Sequence, residues 1–228
     1  MVKRASLHNE DTIKKLDLHI GDYVYVEKAG EIIPQIVGVA KEKRSSGLGS
    51  LVKFAHICPE CGAVLVRNEG EAAYYCPNDM DCPPQLKGKI EHFISRDAMN
   101  IDGLSEATLE KFIQNGLIKD FTDLYHLDRY KDIISGMEGF GEKSCENILN
   151  AVEQSRKTIM AKVIYSLGIP GIGLSNAKMI VKAIGSDKEQ LTAADRPALE
   201  AVKGVGAVLA DAFVSYFENE KPKYLLLY

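Results

Sequence analysis

The sequence predicts a multidomain protein with a small, truncated β-barrel, a four-cysteine zinc finger and an all-α domain of repeated helical hairpins. β-branched and aromatic residues dominate two segments near the start, four of the five cysteines lie close together, and a Gly-x-Gly motif recurs in the second half. A length of 228 residues suits two or three small domains better than one. The predicted limits are 1–55 for the barrel, 56–84 for the zinc finger, 85–217 for the helical domain and 218–228 for a tail.

Two segments near the start have the composition of β-strands. Residues 22–28 and 31–40 are rich in Val, Ile and Tyr. Pro34 indicates a sheet edge or a bulge, because proline has no N–H to donate. Residues 9–18 predict a short helix with Asn9 as its N-cap. The strands and the helix fit a small barrel, although periodicity alone establishes only that the region is β-rich.

The four clustered cysteines have the spacing of a metal site. Cys58 and Cys61 form one pair, and after fourteen residues Cys76 and Cys82 form the other. Four thiolates presented by two turns suit tetrahedral zinc, and a complete protein ligand set is typical of a structural ion. His56 is an alternative ligand, and four unrelated free thiols are the other interpretation. The sequence shows no signal-peptide core, which favours a reducing compartment and therefore metal over disulfides.

A Gly-x-Gly motif recurs at a nearly constant interval. Gly141, Gly173 and Gly206 are separated by 32 and 33 residues, and each precedes a helix with apolar residues at i, i+3, i+4 and i+7. An earlier copy has Ser105 at the aligned position, where we expect it to cap the helix. The repeat therefore predicts four helix-hairpin-helix copies. Cys145 falls in their shared apolar column, so we interpret it as a small core residue and not as a nucleophile.

Each hairpin predicts a contact with a phosphate group. A helix N-terminus has unpaired N–H groups and the positive end of the dipole, and the glycines let another chain approach closely. Sites of this kind bind the DNA backbone regardless of base sequence. The alternative is a helical bundle whose glycines serve only to form the turns between helices. The candidate residues are Gly139, Gly141, Lys143, Ser144, Gly171, Gly173, Ser175, Lys178, Gly204 and Gly206.

The net charge of −4 is unevenly distributed. Residues 1–56 contain nine Lys and Arg against seven Asp and Glu, whereas the remainder contains nineteen against twenty-five. The chain therefore has no bulk basic composition of the kind common in nucleic-acid-binding proteins. If it binds DNA, the geometry of the hairpins has to contribute more than the net charge. No apolar run approaches the ~20 residues of a membrane span, so no membrane partner is expected.

Six strings in the chain resemble one enzyme family: RASLHN at 4–9, IGDYVYVEKAGEIIPQIVGV at 20–39, CPECG at 58–62, HFISRDAMNIDGL at 92–104, GFGEKSCENIL at 139–149 and SLGIPGIG at 166–173. Nearly the whole chain resembles the C-terminal half of bacterial NAD⁺-dependent DNA ligases, enzymes of DNA replication and repair. The resemblance implies an OB-fold for the first module, zinc on the cysteines, and hairpins that grip nicked duplex DNA. It also implies DNA contacts near the nick from Arg4, His8, Asn9 and Lys28.

The lysine that becomes adenylylated in this family has no counterpart in the chain. It lies in a Lys-x-Asp-Gly motif, and the nearest string here is NIDG at 100–103. The resemblance therefore implies a cytoplasmic, nucleoid-associated fragment without a catalytic residue, whose partners are nicked double-stranded DNA and the missing adenylylation domain. NAD and Mg²⁺ would serve the full-length enzyme and not this fragment, whose expected cofactor is structural zinc. The alternatives are a free-standing, non-enzymatic DNA-binding adaptor and a structural zinc protein without a nucleic-acid partner.

Overall fold

The chain divides into two compact units, Met1–Cys82 and Pro83–Tyr228. This division does not separate the barrel from the zinc finger, so the finer domain limits stay a prediction. The computed structural model describes residues 2–30, 33–44, 49–79 and 81–219.

In the first unit, helix α1 (Glu10–Leu16) follows the segment that contains the RASLHN string. The Asn9 side chain accepts a hydrogen bond of 2.9 Å from the Thr12 N–H, which confirms the predicted N-cap. The helix ends where Asp17 takes a left-handed φ of 51°. Helix α1 buries Ile13 and the side chain of Glu10, and Leu16 is half-buried.

The described residues of the first unit contain a two-stranded antiparallel sheet. Strand β1 (Val24–Ala29) pairs with β2 (Ile33–Val39), which confirms the predicted pair, and the register shifts between Tyr25 and Val26. Ser6 adds one parallel bridge to β2. Two strands do not enclose a core by themselves, so the truncated barrel stays a prediction.

The described part of the second unit is helical. Neighbouring helices pack in sequence order, with α6 against α7 and α9 against α10 among the closest pairs. The elements are α2 (Pro83–Ile94), α3 (Glu106–Gln114), a 3₁₀ helix (Phe121–Tyr130), α4 (Lys131–Ser135), α5 (Glu142–Ser155), α6 (Met160–Ser166), α7 (Leu174–Ile184), α8 (Lys188–Thr192), α9 (Arg196–Glu200) and α10 (Ala207–Asn219).

The repeated helices of the second unit each contribute the residue at the same aligned position to the core. Cys145, Ala177 and Ala210 each lie four residues after the aligned glycine, and all three are completely buried. The prediction that Cys145 is a small core residue is therefore confirmed. Phe112 and Phe213 are the largest fully buried side chains, and each stabilises the fold by roughly 2–3 kcal/mol. No helix in the described part of the chain has the length and apolar character needed to cross a bilayer.

Candidate metal centre and nucleic-acid interface

The cysteine segment is built from two tight turns. The Cys58 N–H donates to the Ala63 carbonyl at 2.8 Å, and the Gly62 N–H donates back to the Cys58 carbonyl at 3.0 Å. Gly62 adopts a φ of 75°, a conformation that glycine takes without steric cost. Val66 and Tyr75 then exchange two backbone hydrogen bonds of 2.8 Å, so the segment between the cysteine pairs forms a hairpin.

These turns bring the four cysteine sulfurs together. Cys58 Sγ lies 4.0 Å from Cys82 Sγ, Cys61 Sγ lies 3.4 Å from Cys76 Sγ, and all four sulfurs lie within 4.8 Å of one another. Zn–S bonds of ~2.3 Å in a tetrahedron place the sulfurs about 3.8 Å apart. The donor set and its spacing therefore fit a structural zinc ion. Cys58 and Cys82 are also buried, so such a centre would be partly shielded from solvent.

The thiols differ in their acidity before any metal binds. A hydrogen bond from the Ala63 backbone, together with weaker ones from the other cysteines, lowers the pKa of Cys61 to about 7, against the effect of burial. Burial raises the pKa of Cys76 to about 12. Because zinc binds thiolates, loading the centre has to release the proton that Cys76 holds at neutral pH.

His56 lies near this segment but contacts another group. Its Nε2 lies 3.0 Å from Glu10 Oε1, and its ring packs on Tyr74 with a centroid distance of 5.3 Å. The described groups that could hold a metal form one cluster, and it contains cysteines only. The geometry therefore favours Cys58, Cys61, Cys76 and Cys82 over a set that includes His56.

The Glu10 carboxylate is the centre of a hydrogen-bond network that the sequence did not predict. It is nearly inaccessible to solvent and accepts bonds from Lys14 Nζ at 2.8 Å and from the Tyr74 hydroxyl at 2.7 Å, in addition to its contact with His56. The bond from Lys14, followed by that from Tyr74, lowers the pKa of Glu10 to about 2. Glu10 looked like an ordinary acidic residue at a helix start, and no local pattern distinguishes it.

A second contact joins the cysteine hairpin to the same turn of α1. Arg67 donates through both terminal nitrogens to the Asp11 carboxylate, at 3.1 and 2.6 Å. This planar two-point pairing lowers the pKa of Asp11. The first turn of α1 is thus held by Arg67 and Tyr74, residues that lie on the hairpin between the two cysteine pairs.

The residues predicted to contact DNA in the first unit lie on two elements. Arg4, His8 and Asn9 come just before α1, whereas Lys28 lies in β1 opposite Pro34. Arg4, His8 and Lys28 are exposed. Asn9 uses its side-chain oxygen as the helix cap. His8 has a left-handed φ of 65°, which is uncommon for a residue with a Cβ and often marks a functional segment.

The two glycines of each Gly-x-Gly turn have different conformations. Gly141 and Gly173 have φ values of −145° and −75°, which any residue adopts, and each is the N-cap of the helix that follows. The expected positive φ is found at the first glycine of each hairpin: Gly139 (86°), Gly171 (76°) and Gly204 (87°), together with Gly103 (88°) in the earliest copy. The first glycine therefore makes the turn, and the second leaves space beside the helix start.

Helices α5 and α7 begin without a side-chain cap. Their helical hydrogen bonds begin at the N–H groups of Cys145 and Ala177, so three preceding N–H groups in each helix have no helical acceptor. In the earliest copy, by contrast, the Ser105 hydroxyl accepts from the Thr108 N–H at 3.2 Å, which confirms the predicted cap. Lys143, Ser144, Ser175 and Lys178 are exposed near these two helix starts, and so is Glu142.

Comparison with known families matches the three regions separately. Residues 1–48 match the NAD-dependent DNA ligase OB-fold domain, and residues 58–83 match the NAD-dependent DNA ligase C4 zinc finger domain. Two regions of the chain thus resemble domains of NAD-dependent DNA ligases. Residues 162–226 match the helix-hairpin-helix motif, a more general model. The resemblance seen in the sequence strings is therefore confirmed.

Individual proteins similar to this chain are named DNA ligase. The chain is 53% identical over 226 residues to the protein of Phocaeicola vulgatus, 51% to that of Bacteroides fragilis and 49% to that of Parabacteroides distasonis. Each alignment covers 99% of this chain and 33% of the relative. The chain thus spans about a third of the length of the relatives it matches. The C4 zinc finger match includes all four clustered cysteines and, together with their geometry, supports a structural zinc ion.

Proposed function

We propose that this chain is the DNA-binding part of an NAD⁺-dependent DNA ligase, which holds nicked duplex DNA by its backbone while nicks are sealed in replication and repair. The observation that carries the proposal is the pair of uncapped helix starts at α5 and α7, in a chain whose other modules match ligase domains. The N–H groups at each start would donate to a phosphate oxygen of the DNA backbone. Lys143, Ser144, Ser175 and Lys178 would assist there.

In the first unit we expect the segment of Arg4, His8 and Asn9, with Lys28, to face the DNA near the nick. Zinc on the four cysteines would supply folding energy to a hairpin too small to bury a core of its own. It would hold Arg67 and Tyr74 in place against α1. Zinc would therefore act on DNA binding through structure and not through the chemistry of sealing.

The catalytic steps belong to another part of the proposed enzyme. The 228 residues contain no Lys-x-Asp-Gly motif. A separate domain would take AMP from NAD⁺ and activate the 5′-phosphate of the nick, so that the 3′-hydroxyl can displace AMP. NAD and Mg²⁺ would bind that domain. We expect this chain alone to be inactive, and the whole enzyme to work in the cytoplasm at the nucleoid.

Two measurements on the zinc-loaded chain test the proposal. Fluorescence anisotropy with a labelled nicked duplex should show binding that weakens as salt increases, because phosphate contacts release counterions. An intact duplex and a scrambled sequence serve as controls, since backbone contacts predict little dependence on sequence. Incubation with labelled NAD⁺ should leave no covalent adenylate on the chain. Failure to bind DNA even at low salt would refute the DNA-binding function, and a covalent adenylate would refute the predicted inactivity.

A further inference from the structure

The four hairpins differ in charge at two equivalent positions. The residue before the first glycine is Asp102, Glu138, Pro170 and Lys203 in chain order. The first residue of the following helix is Glu106, Glu142, Leu174 and Ala207. The hairpins at 102–106 and 138–142, called the first hairpin pair, thus carry two carboxylates each. The hairpins at 170–174 and 203–207, called the second hairpin pair, carry none.

A carboxylate at a helix start occupies the electrostatic position that a phosphate would take. It interacts favourably with the positive end of the dipole and repels another anion at the same place. Two cations near the first hairpin pair have partners, because Lys87 Nζ lies 2.5 Å from the Glu106 carboxylate and Lys111 Nζ donates to the Glu138 carbonyl at 2.9 Å, whereas Lys143 is exposed. In the second hairpin pair, Lys203 is exposed beside the turn.

The two pairs are packed in a similar way. In the second hairpin pair, each turn packs against the other hairpin's second helix, at Leu209 and Met179. In the first hairpin pair, Gly103 packs on Ile148, and Phe140 packs on Phe112 with a centroid distance of 5.7 Å. Packing therefore does not distinguish the pairs, and the difference between them is one of charge.

The charge balance and the family comparison both distinguish the second hairpin pair from the first. Residues 160–219 contain six basic and six acidic side chains, whereas residues 95–159 contain eight basic and twelve acidic ones. The helix-hairpin-helix motif matches 162–226, a range that includes both turns of the second hairpin pair and neither turn of the first. This match points to nucleic acid as the ligand independently of the charges.

We infer that the second hairpin pair makes the principal contacts with the DNA backbone and that the first hairpin pair makes weaker ones. This inference rests on the proposed function and assigns it to one of two similar surfaces. The phosphate contacts expected at Lys143 and Ser144, in the first hairpin pair, are accordingly weaker than those at Ser175 and Lys178.

Three matched substitutions test the inference in the full zinc-loaded chain. Ser175→Glu, Val208→Glu and Ala107→Glu each place one carboxylate at the second residue of a hairpin's second helix, at an exposed position. An acidic residue there favours the helix, so loss of binding is not a consequence of unfolding, and thermal melting checks this point. Binding to a nicked duplex is measured across a salt series.

Ser175→Glu and Val208→Glu should each weaken binding at least tenfold and reduce the salt slope by about one contact. Ala107→Glu should change affinity less than threefold, and so should Glu142→Gln, which removes a carboxylate from the first hairpin pair. If Ala107→Glu costs as much as Val208→Glu, or if Glu142→Gln raises affinity tenfold, the inference is overturned while the proposed function stands. A parent chain that does not bind DNA overturns both.

Discussion

The Tyr74 hydroxyl donates a hydrogen bond of 2.7 Å to the Glu10 carboxylate, and this bond connects residues 64 positions apart in the sequence. Tyr74 lies on the hairpin between the two cysteine pairs, and Glu10 is the first residue of α1. Asn9, the cap of α1, ends the segment predicted to meet DNA. The cysteine hairpin therefore supports the helix that follows that segment.

Replacing Tyr74 should loosen α1 without unfolding the second unit. Tyr74→Phe keeps the ring packed on Phe54 and His56 but removes the donor to Glu10. We expect faster amide hydrogen exchange in α1, because a buried carboxylate then loses one of its partners. Tyr75→Phe, a change of the same size at a half-exposed neighbour, is the control. Equal exchange rates in the two variants would contradict the role of the bond.

The pH dependence of the first unit should reflect Glu10. The folded chain lowers the pKa of this carboxyl from 4.5 to about 2, chiefly through the bond from Lys14. A depressed pKa contributes stability above 4.5, and that contribution is lost as pH falls from 4.5 towards 2. An NMR titration of the Glu10 side-chain carbon should give a midpoint well below the ordinary value. The stability advantage of the parent chain over Glu10→Gln should shrink over the same interval, and a midpoint of 4.5 would refute the network.

Zinc removal should act on the first unit selectively. The centre should bind one zinc ion per chain, and a chelator should increase hydrogen exchange in the cysteine hairpin and, through Arg67 and Tyr74, in α1. Cys61→Ser should lose the metal, because three thiolates leave a coordination position open. Cys145→Ala should retain it, since Cys145 is buried in the core of the second unit. Full zinc content in Cys61→Ser would argue against this ligand set.

The two glycines of one turn should respond differently to substitution. Gly173 has a φ of −75°, and no atom lies within 4 Å of the position that a Cβ would take there, so Gly173→Val should fold normally. We expect it to weaken DNA binding about tenfold, because the side chain would stand between a phosphate and the helix start. Gly171→Ala should instead lower the melting temperature, since its φ is 76° and its Cβ would meet Leu209. Unchanged DNA affinity in Gly173→Val would contradict the proposed contact.

Several parts of this protein were predictable from the sequence because they depend on local patterns. The spacing of the cysteine pairs predicted their clustering, since two short turns and a hairpin bring such pairs together. Asn9 and Ser105 were predictable as caps because Asn and Ser are preferred just before the first turn of a helix. The position of Cys145 followed from the apolar period of the repeat, which distinguishes the inward face of a helix without knowledge of its neighbours.

The tertiary structure decided which of these local elements meet. Nothing near Glu10 indicates Tyr74 as its partner, because their contact depends on the path of the chain between them. Likewise the repeat does not show which helices meet, whereas the structure packs the turn at Gly171 against Leu209 and the turn at Gly204 against Met179. The sequence by itself determined the modules and the residue types of their sites. Which side chains pair and which helices pack together could be learned only from the fold, because contacts between distant residues leave no periodic signal in the sequence.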